Sequence, residues 1–497
     1  MVFSSSVFLF LFLPLCLIGY WLMPGWRARN LWLFAASLVF YSFGEAHYVL
    51  VLLVSISLNA WLGRRIERSD NGRKYWLWLA IGANLLILGY YKYAGFLVEA
   101  ITPLAGIIGL GQPESVDVHL PLGISFFTFQ AISYIVDVYR REVPAQKSWL
   151  EVGLYISLFP QLIAGPIVRY NDIADQLRQR HADIDDFAWG VRRFMLGLAK
   201  KVLIANILGQ VADEIFAHDA SALDWSVAWL GIICYTLQIY FDFSGYSDMA
   251  IGLGRLFGFR FPENFNHPYI SRSVREFWRR WHISLSRWFR DYLYIPLGGS
   301  RLGTRRTAFN LLIVFALCGL WHGAAWNFLI WGLFHGAFLA LERGRLGAVL
   351  ARLPVVLQHV YLLGIVIIGW VLFRAETLTE AIDYLGIMFG IGGVDADGYV
   401  MMYLNNQVLL ALLAGIVLSA TPRWTTITET HDIKRDKLTL PATNVSIENN
   451  NVIVESSQIS HRRLGIIVRD SVLLASFVLS AIYVSAQSYN PFIYFRF

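Results

Sequence analysis

Apolar residues recur along this chain in long, nearly charge-free runs. Residues 7–23, 307–341 and 355–373 come close to or exceed the ~18–20 residues that span a bilayer's hydrocarbon core. Shorter or interrupted runs of the same kind follow at 31–43, 48–62, 76–91, 121–136, 150–168, 191–209, 226–241, 407–420 and 467–486. Buried core helices of a soluble protein are not this apolar this often. The pattern predicts an all-α integral membrane protein with about 10–12 transmembrane helices, plus interfacial and re-entrant helices. The first run has no charged n-region and no small-residue cleavage site, so it reads as a retained helix rather than a signal peptide. One polar stretch, 421–465, interrupts the pattern with six basic and five acidic residues and reads as a cytoplasmic loop. Apart from that insert, 1–497 reads as a single polytopic membrane domain.

Composition agrees. The 497 residues are 56% apolar and only 15% charged, which excludes a disordered chain. Lys and Arg then set the orientation. Arg27 and Arg29 follow the first run, and Arg64, Arg65, Arg68, Arg73 and Lys74 follow the third, whereas the turn from Gly44 to His47 has neither Lys nor Arg. The positive-inside rule therefore places 24–30 and 63–75 in the cytoplasm and the N-terminus outside. Arg462 and Arg463 precede the last run and Arg469 lies at its start, so the C-terminal PFIYFRF is expected on the outer face as well.

The net charge of +6 is unevenly spread. Between Arg255 and Arg306 lie eleven Arg, no Lys and three acids, a net +8, which leaves −2 for the other 445 residues. Trp278, Trp281, Trp288 and Phe289 are interleaved with these arginines, and positions 277, 281, 285, 288 and 289 share one helical face. The spacing predicts an amphipathic helix at the membrane interface. Two uses are open for it: an anchor held by anionic lipid, or a docking face for an anionic donor, since guanidinium groups pair bidentately with phosphate.

Few other residues carry chemistry. Cys16, Cys234 and Cys318 lie singly in apolar runs and read as small hydrophobes, with no metal site expected. No phosphate-binding loop or nucleophile elbow is present. His322 stands out, because no formal charge occurs from Thr307 to Leu341 and an ionisable group inside a membrane helix is a functional candidate by default. Gly319 and Gly323 beside it permit close approach of substrate or backbone. His335 reads as a packing residue. Asp242 and Asp248 need partners in their apolar run, with structural pairing expected ahead of orienting an imidazole.

Several of these stretches together resemble the bacterial membrane-bound O-acyltransferases, in the branch that O-acetylates alginate. They are MVFSSSVFLFLFLPL at the start, PLGISFFTFQAISYIVDVYR (121–140), FPQLIAGPIVRY (159–170), YFDFSGYSDMAIGLGRLFGFRFPENFNHPYIS (240–271), REFWRRWHISLSRWFRDYLYIPLGG (275–299) and the WHG of 321–323. The resemblance runs from residue 1 to about 375, resumes at the C-terminus and leaves the 421–465 insert unexplained.

It implies a bowl-like helical fold with a central tunnel, in the inner membrane of a bacterium. His322 would be the catalytic residue and His282 the second motif histidine. An acetyl group would pass from a cytoplasmic thioester, acetyl-CoA or another acyl thioester, to an exported polysaccharide of alginate, cellulose or peptidoglycan type. No bound cofactor or metal is implied. Arg279, Arg280, Arg287 and Arg290 are the candidates for holding the donor. Expected partners are the lipid bilayer, an exported acetyltransferase and a polysaccharide biosynthesis complex, with no nucleic acid. Related teichoic acid D-alanylation systems use a small peptide with an aromatic C-terminus that contains an acyl-accepting Tyr. The tail PFIYFRF is similar, which makes Tyr494 a candidate acceptor; the alternative is an aromatic-belt residue. A transporter or channel, and a non-catalytic export scaffold, are the competing functions.

A thioester is a ready acyl donor but a hydroxyl is a poor nucleophile at neutral pH. A positioned imidazole that takes the hydroxyl proton supplies roughly 10²–10⁴-fold. Desolvation keeps such an imidazole neutral and able to accept it.

Overall fold

The computed structural model describes residues 1–107, 118–180, 183–394, 399–421, 456–486 and 489–492, and among these every regular element is a helix. Six helical stretches are long and apolar enough to cross a membrane: Gly25–Arg68, Arg73–Pro103, Ile184–Phe216, Trp225–Leu256, Val355–Arg374 and Gly465–Ala486. Phe8–Leu22, Trp326–Leu341 and Asn406–Ala420 are shorter apolar helices. The all-α membrane class expected from the apolar runs is what the chain adopts. Of the polar insert, residues 422–455 lie outside the described residues.

Burial is distributed as a bilayer requires. Outer helices turn large apolar side chains outward, among them Phe10, Leu15, Leu50, Leu86, Leu410 and Ile467, where only lipid can cover them. The central helix Trp225–Leu256 is enclosed by protein along nearly its whole length. Its N-terminus is capped by Asp224, whose carboxylate accepts from the Ser226 amide. Small residues let the helix Ile184–Ala199 cross it at backbone contact. A Cβ on Gly197 would lie 2.5 Å from the Gly245 carbonyl oxygen, and one on Gly252 would lie 2.7 Å from that of Gly190.

Arg-bearing segments gather at one end of the helices. Arg73 donates to the Val138 and Tyr139 carbonyls, Arg140 to that of Asp291, and Arg180 to Asn30 and to the Phe257 carbonyl. Arg169 pairs with Asp291 at 2.8 Å. At the opposite end, Arg374 pairs with Asp213 at 3.0 Å and Trp229 donates to the Met388 carbonyl.

Two expectations change here. The Arg-rich segment is not one amphipathic helix lying on the membrane. It is two short helices, Val274–Arg280 and Ile283–Phe289, separated at His282, whose φ of 43° breaks the helical path. Phe277, Trp278, Trp281, Leu285, Trp288 and Phe289 are all buried within the protein. The apolar face that periodicity detects is therefore covered by other helices instead of lipid. The 307–341 run is likewise two elements, an antiparallel hairpin of Thr304–His322 and Trp326–Leu341.

That hairpin closes on glycine. A Cβ on Gly319 would sit 2.1 Å from the Phe328 carbonyl oxygen, and one on Gly332 would sit 2.1 Å from that of Phe315. Of the two uses open for Gly319, close approach of backbone is the one the structure displays. Gly332→Ala forces the two helices apart and is expected to destabilise the protein by about 1–3 kcal/mol, the usual cost of overpacking. Thermal unfolding of the detergent-solubilised protein should show a clear drop in midpoint. An unchanged midpoint would contradict this packing.

Candidate active site

His322 is the last residue of the helix Thr304–His322 and is 4% exposed. Aromatic rings enclose its imidazole: Trp321 at 4.9 Å between centroids, Trp331 at 5.2 Å and Phe373 at 5.2 Å. The His282 ring is 6.5 Å away, so the two motif histidines, 40 positions apart in the chain, share one chamber.

His282 is 1% exposed and stands at the break between the two short Arg-bearing helices. Its left-handed backbone is a conformation that costs energy for a residue with a Cβ and persists only where neighbours fix it. Asn264 does so. Its side-chain oxygen lies 3.1 Å from His282 Nδ1 and also accepts from the Ser284 amide and hydroxyl. Its amide donates to Ser247, and its backbone carbonyl accepts from Ile283. Because that oxygen can only accept, His282 donates from Nδ1 and carries its lone pair on Nε2. Burial in apolar surroundings, against Phe243 at 4.7 Å, holds the His282 pKa well below the ordinary histidine range. The ring is neutral. Sequence reasoning missed Asn264, because a neutral amide in the PENFNHP loop carries no charge signal.

His335 is buried one helix further along, edge-on to Trp278 and Trp331, both at 5.2 Å. Its ring fills the space over Gly369, where a Cβ would lie 2.7 Å from Nε2. This is the packing role read from the sequence.

On the Arg-bearing side of the chamber lies a cavity of about 230 Å³. Arg275, Arg279, Arg290 and Arg343 line it together with apolar walls that include Trp278, Phe315 and Cys318. Cys318 is one helical turn before His322 on the same helix. Trp278 contacts Trp331 at 5.7 Å, and Trp331 in turn contacts His322. Two indoles thus connect the cavity wall to the histidine chamber. Arg275 and Arg343 also line two adjoining cavities.

Of the four arginines singled out from sequence, the structure brings Arg279 and Arg290 to this cavity. Arg280 is engaged elsewhere, with Glu276 at 2.9 Å and the Asn266 carbonyl, and Arg287 is exposed and does not line it. Arg275 and Arg343 were missed. Arg343 lies beyond the Arg-rich segment in sequence and reaches it only through the return of Trp326–Leu341.

The buried acids are structural. Asp242 pairs with Lys201 at 2.8 Å, both almost fully buried, and Asp248 pairs with Arg193 at 2.7 Å and Lys200 at 2.6 Å. Each carboxylate meets a cation, as burial of charge requires. The three cysteines are free and buried.

Tyr494 lies outside the described residues. The tail just before it is held firmly. Tyr489 donates at 2.7 Å to Asp213, the partner of Arg374, at the end of the helices opposite the Arg-rich segment. Asn490 exchanges hydrogen bonds with Ser4 and accepts from Asn206. The Pro491 carbonyl accepts from Lys201. Phe492 is buried and stacks on Tyr246 at 4.4 Å, with Phe3 on the same tyrosine at 4.5 Å. Tyr246 is one turn beyond Phe243, whose ring touches His282. From Tyr489 to Phe492 the tail therefore runs from the Asp213 end of the helices toward the ring that borders His282.

Residues 109–375 match the model of the MBOAT, membrane-bound O-acyltransferase family. The chain is 43% identical to the "Probable alginate O-acetylase AlgI" of Azotobacter vinelandii, over 100% of both proteins. It is 37% identical to the "Peptidoglycan O-acetyltransferase" of Helicobacter pylori, over 79% of this chain and 81% of that protein. With the "Teichoic acid D-alanyltransferase" of Bacillus subtilis it shares 30% identity, over 51% of this chain and 71% of that protein.

Proposed function

The chain belongs to the membrane-bound O-acyltransferase family, and from that premise we propose that it moves an acetyl group from a thioester donor on the Arg-bearing face, through the His322 chamber, toward an exported polysaccharide. It is a multi-pass membrane O-acyltransferase. Donor, direction, acceptor and site residues are all part of this proposal. The observation that carries them is the placement of two buried histidines behind an arginine-lined cavity, with a tethered tail entering from the other side.

Arg275, Arg279, Arg290 and Arg343 hold the phosphates of the donor, acetyl-CoA or another phosphorylated acyl thioester, at the cytoplasmic face of the inner membrane. The apolar walls accept its thiol arm. At the far end, the His322 imidazole takes the proton of an acceptor hydroxyl. The hydroxyl oxygen bonds to the thioester carbonyl carbon, the C–S bond breaks, and the leaving thiolate receives the proton back from the imidazolium. Atoms and charge balance without a bound cofactor or metal. Aromatic walls exclude water, so hydrolysis of the thioester is suppressed. His282, its tautomer fixed by Asn264, supports the chamber.

Tyr494 is the first acceptor in this scheme. The anchor at Phe492 is two residues before it, and two extended residues reach about 7 Å. An exported acetyltransferase then passes the group to the polymer, for which we propose an alginate, cellulose or peptidoglycan type; relatives named for alginate and for peptidoglycan support the first and the last. A proton or substrate path through Asp242 is the less fitting alternative, since that carboxylate is tied to Lys201.

His322→Ala should leave membrane abundance normal and reduce polymer acetylation at least 100-fold, the scale of a lost general base. O-acetyl content of the purified polymer measures it, and unchanged acetylation would refute the catalytic assignment. Tyr494→Phe removes only the hydroxyl and should also abolish acetylation. A fully active Tyr494→Phe protein would exclude the acceptor role while leaving His322 in place.

A further inference from the structure

A helix leaves its last four carbonyls without partners inside the helix, and in an apolar interior each open carbonyl is costly. At the end of Thr304–His322 the first of these is satisfied locally, the Gly319 carbonyl accepting from the Gly323 amide at 3.2 Å. The other three are met by two consecutive residues of a different helix. Tyr93 donates its hydroxyl to the Leu320 carbonyl at 2.8 Å. The Lys92 ammonium donates to the Trp321 carbonyl at 2.5 Å and to the His322 carbonyl at 3.2 Å. It also lies 3.4 Å from the Ser125 hydroxyl.

Both donors come from Gly89–Tyr93, a single wide turn with π-helical bonding set into the membrane helix Arg73–Pro103. Such turns inside regular helices are frequent at functional sites. Lys92 is the only charged residue between Tyr75 and Val98, an isolated cation in an apolar stretch. The C-terminal end of a helix carries a partial negative charge, and a cation there is favourable.

We propose that Lys92 and Tyr93 are positioning residues for His322: together they form a side-chain cap, supplied from another helix, that fixes the end of the helix from which the imidazole projects. This rests on the reading of His322 as the base. The cap acts on the backbone oxygen of His322 itself, so its loss frees the residue whose placement sets the reaction geometry. A misplacement of about 1 Å can cost on the order of 100-fold in rate. Neither Lys92 nor Tyr93 lines the arginine-bordered cavity, so donor capture is independent of them.

The test uses full-length protein in membrane vesicles from polysaccharide-producing cells, with labelled acetyl-CoA as the probe. Lys92→Met keeps the length and removes the charge and its donors. Acetyl transfer should fall roughly ten- to hundredfold in kcat, with KM for acetyl-CoA within twofold, and abundance and unfolding midpoint near those of the parent. Lys92→Arg, which restores a cation and donors, should recover most of the loss. A Lys92→Met protein with parental kcat overturns the proposal. So does a loss that follows abundance or midpoint and is equal in Lys92→Arg, because that is the signature of helix stability alone. Should Lys92→Met fail to reach the membrane, Tyr93→Phe removes one hydrogen bond and should still lower kcat severalfold; parental kcat there overturns the proposal. His322→Ala run in parallel separates the two readings: activity in that variant defeats the base assignment, whereas its inactivity beside a fully active Lys92→Met defeats only the cap.

Discussion

An imidazole held in an apolar interior needs its helix end fixed without water, and the carboxyl end of Thr304–His322 is where this protein meets that demand. Its open carbonyls are taken by Gly323, Tyr93 and Lys92. Glycine contacts at 319 and 332 set the distance to the returning helix. Trp321, Trp331 and Phe373 then wall the imidazole with aromatic rings and leave the His282 ring close by. If any of these gave way, the imidazole would either meet water or lose its orientation.

Around that point the molecule has two different sides. Arginine-bearing segments and the cavities they line occupy one, and the Arg374–Asp213 pair with the tail's Tyr489 occupies the other. The chain's N-terminal residues take part in this arrangement, since Phe3 and Ser4 hold Tyr246 and Asn490. Tail and histidines are thereby linked through the single central helix, with Tyr246 on one and Phe243 on the other. Under the proposed function, that asymmetry would let donor and acceptor approach the buried histidines from different sides.

Much of this was legible in the residues. Long apolar runs gave the helical membrane class, because length and hydropathy are local properties. His322 was visible as an ionisable residue deep in a run without formal charge, and Asp242 and Asp248 as acids that must be paired. Periodicity was misleading at 277–289. It detected the apolar face correctly but could not show that His282 adopts a left-handed backbone and that protein covers the face. Arg280 and Arg287 looked equivalent to Arg279 and Arg290, since charge alone does not say which guanidinium borders a cavity. Asn264, Arg343 and Lys92 acquire their roles only through contacts across 18 to 230 positions of sequence. Contacts of that range leave no mark on spacing.

Catalysis as proposed requires the acyl group to meet His322 from the arginine-bearing side. The most direct measurement is a structure of the membrane-embedded protein with a thioether analogue of acetyl-CoA, in which a methylene separates sulfur from the acetyl carbonyl and prevents transfer. The phosphates should lie among Arg275, Arg279, Arg290 and Arg343, with the carbonyl carbon about 5–6 Å from the His322 imidazole, which leaves room for a hydroxyl hydrogen-bonded to the ring and about 3–3.5 Å from the carbon. Density for the analogue outside that cavity, or a carbonyl remote from both His322 and His282, would contradict the account.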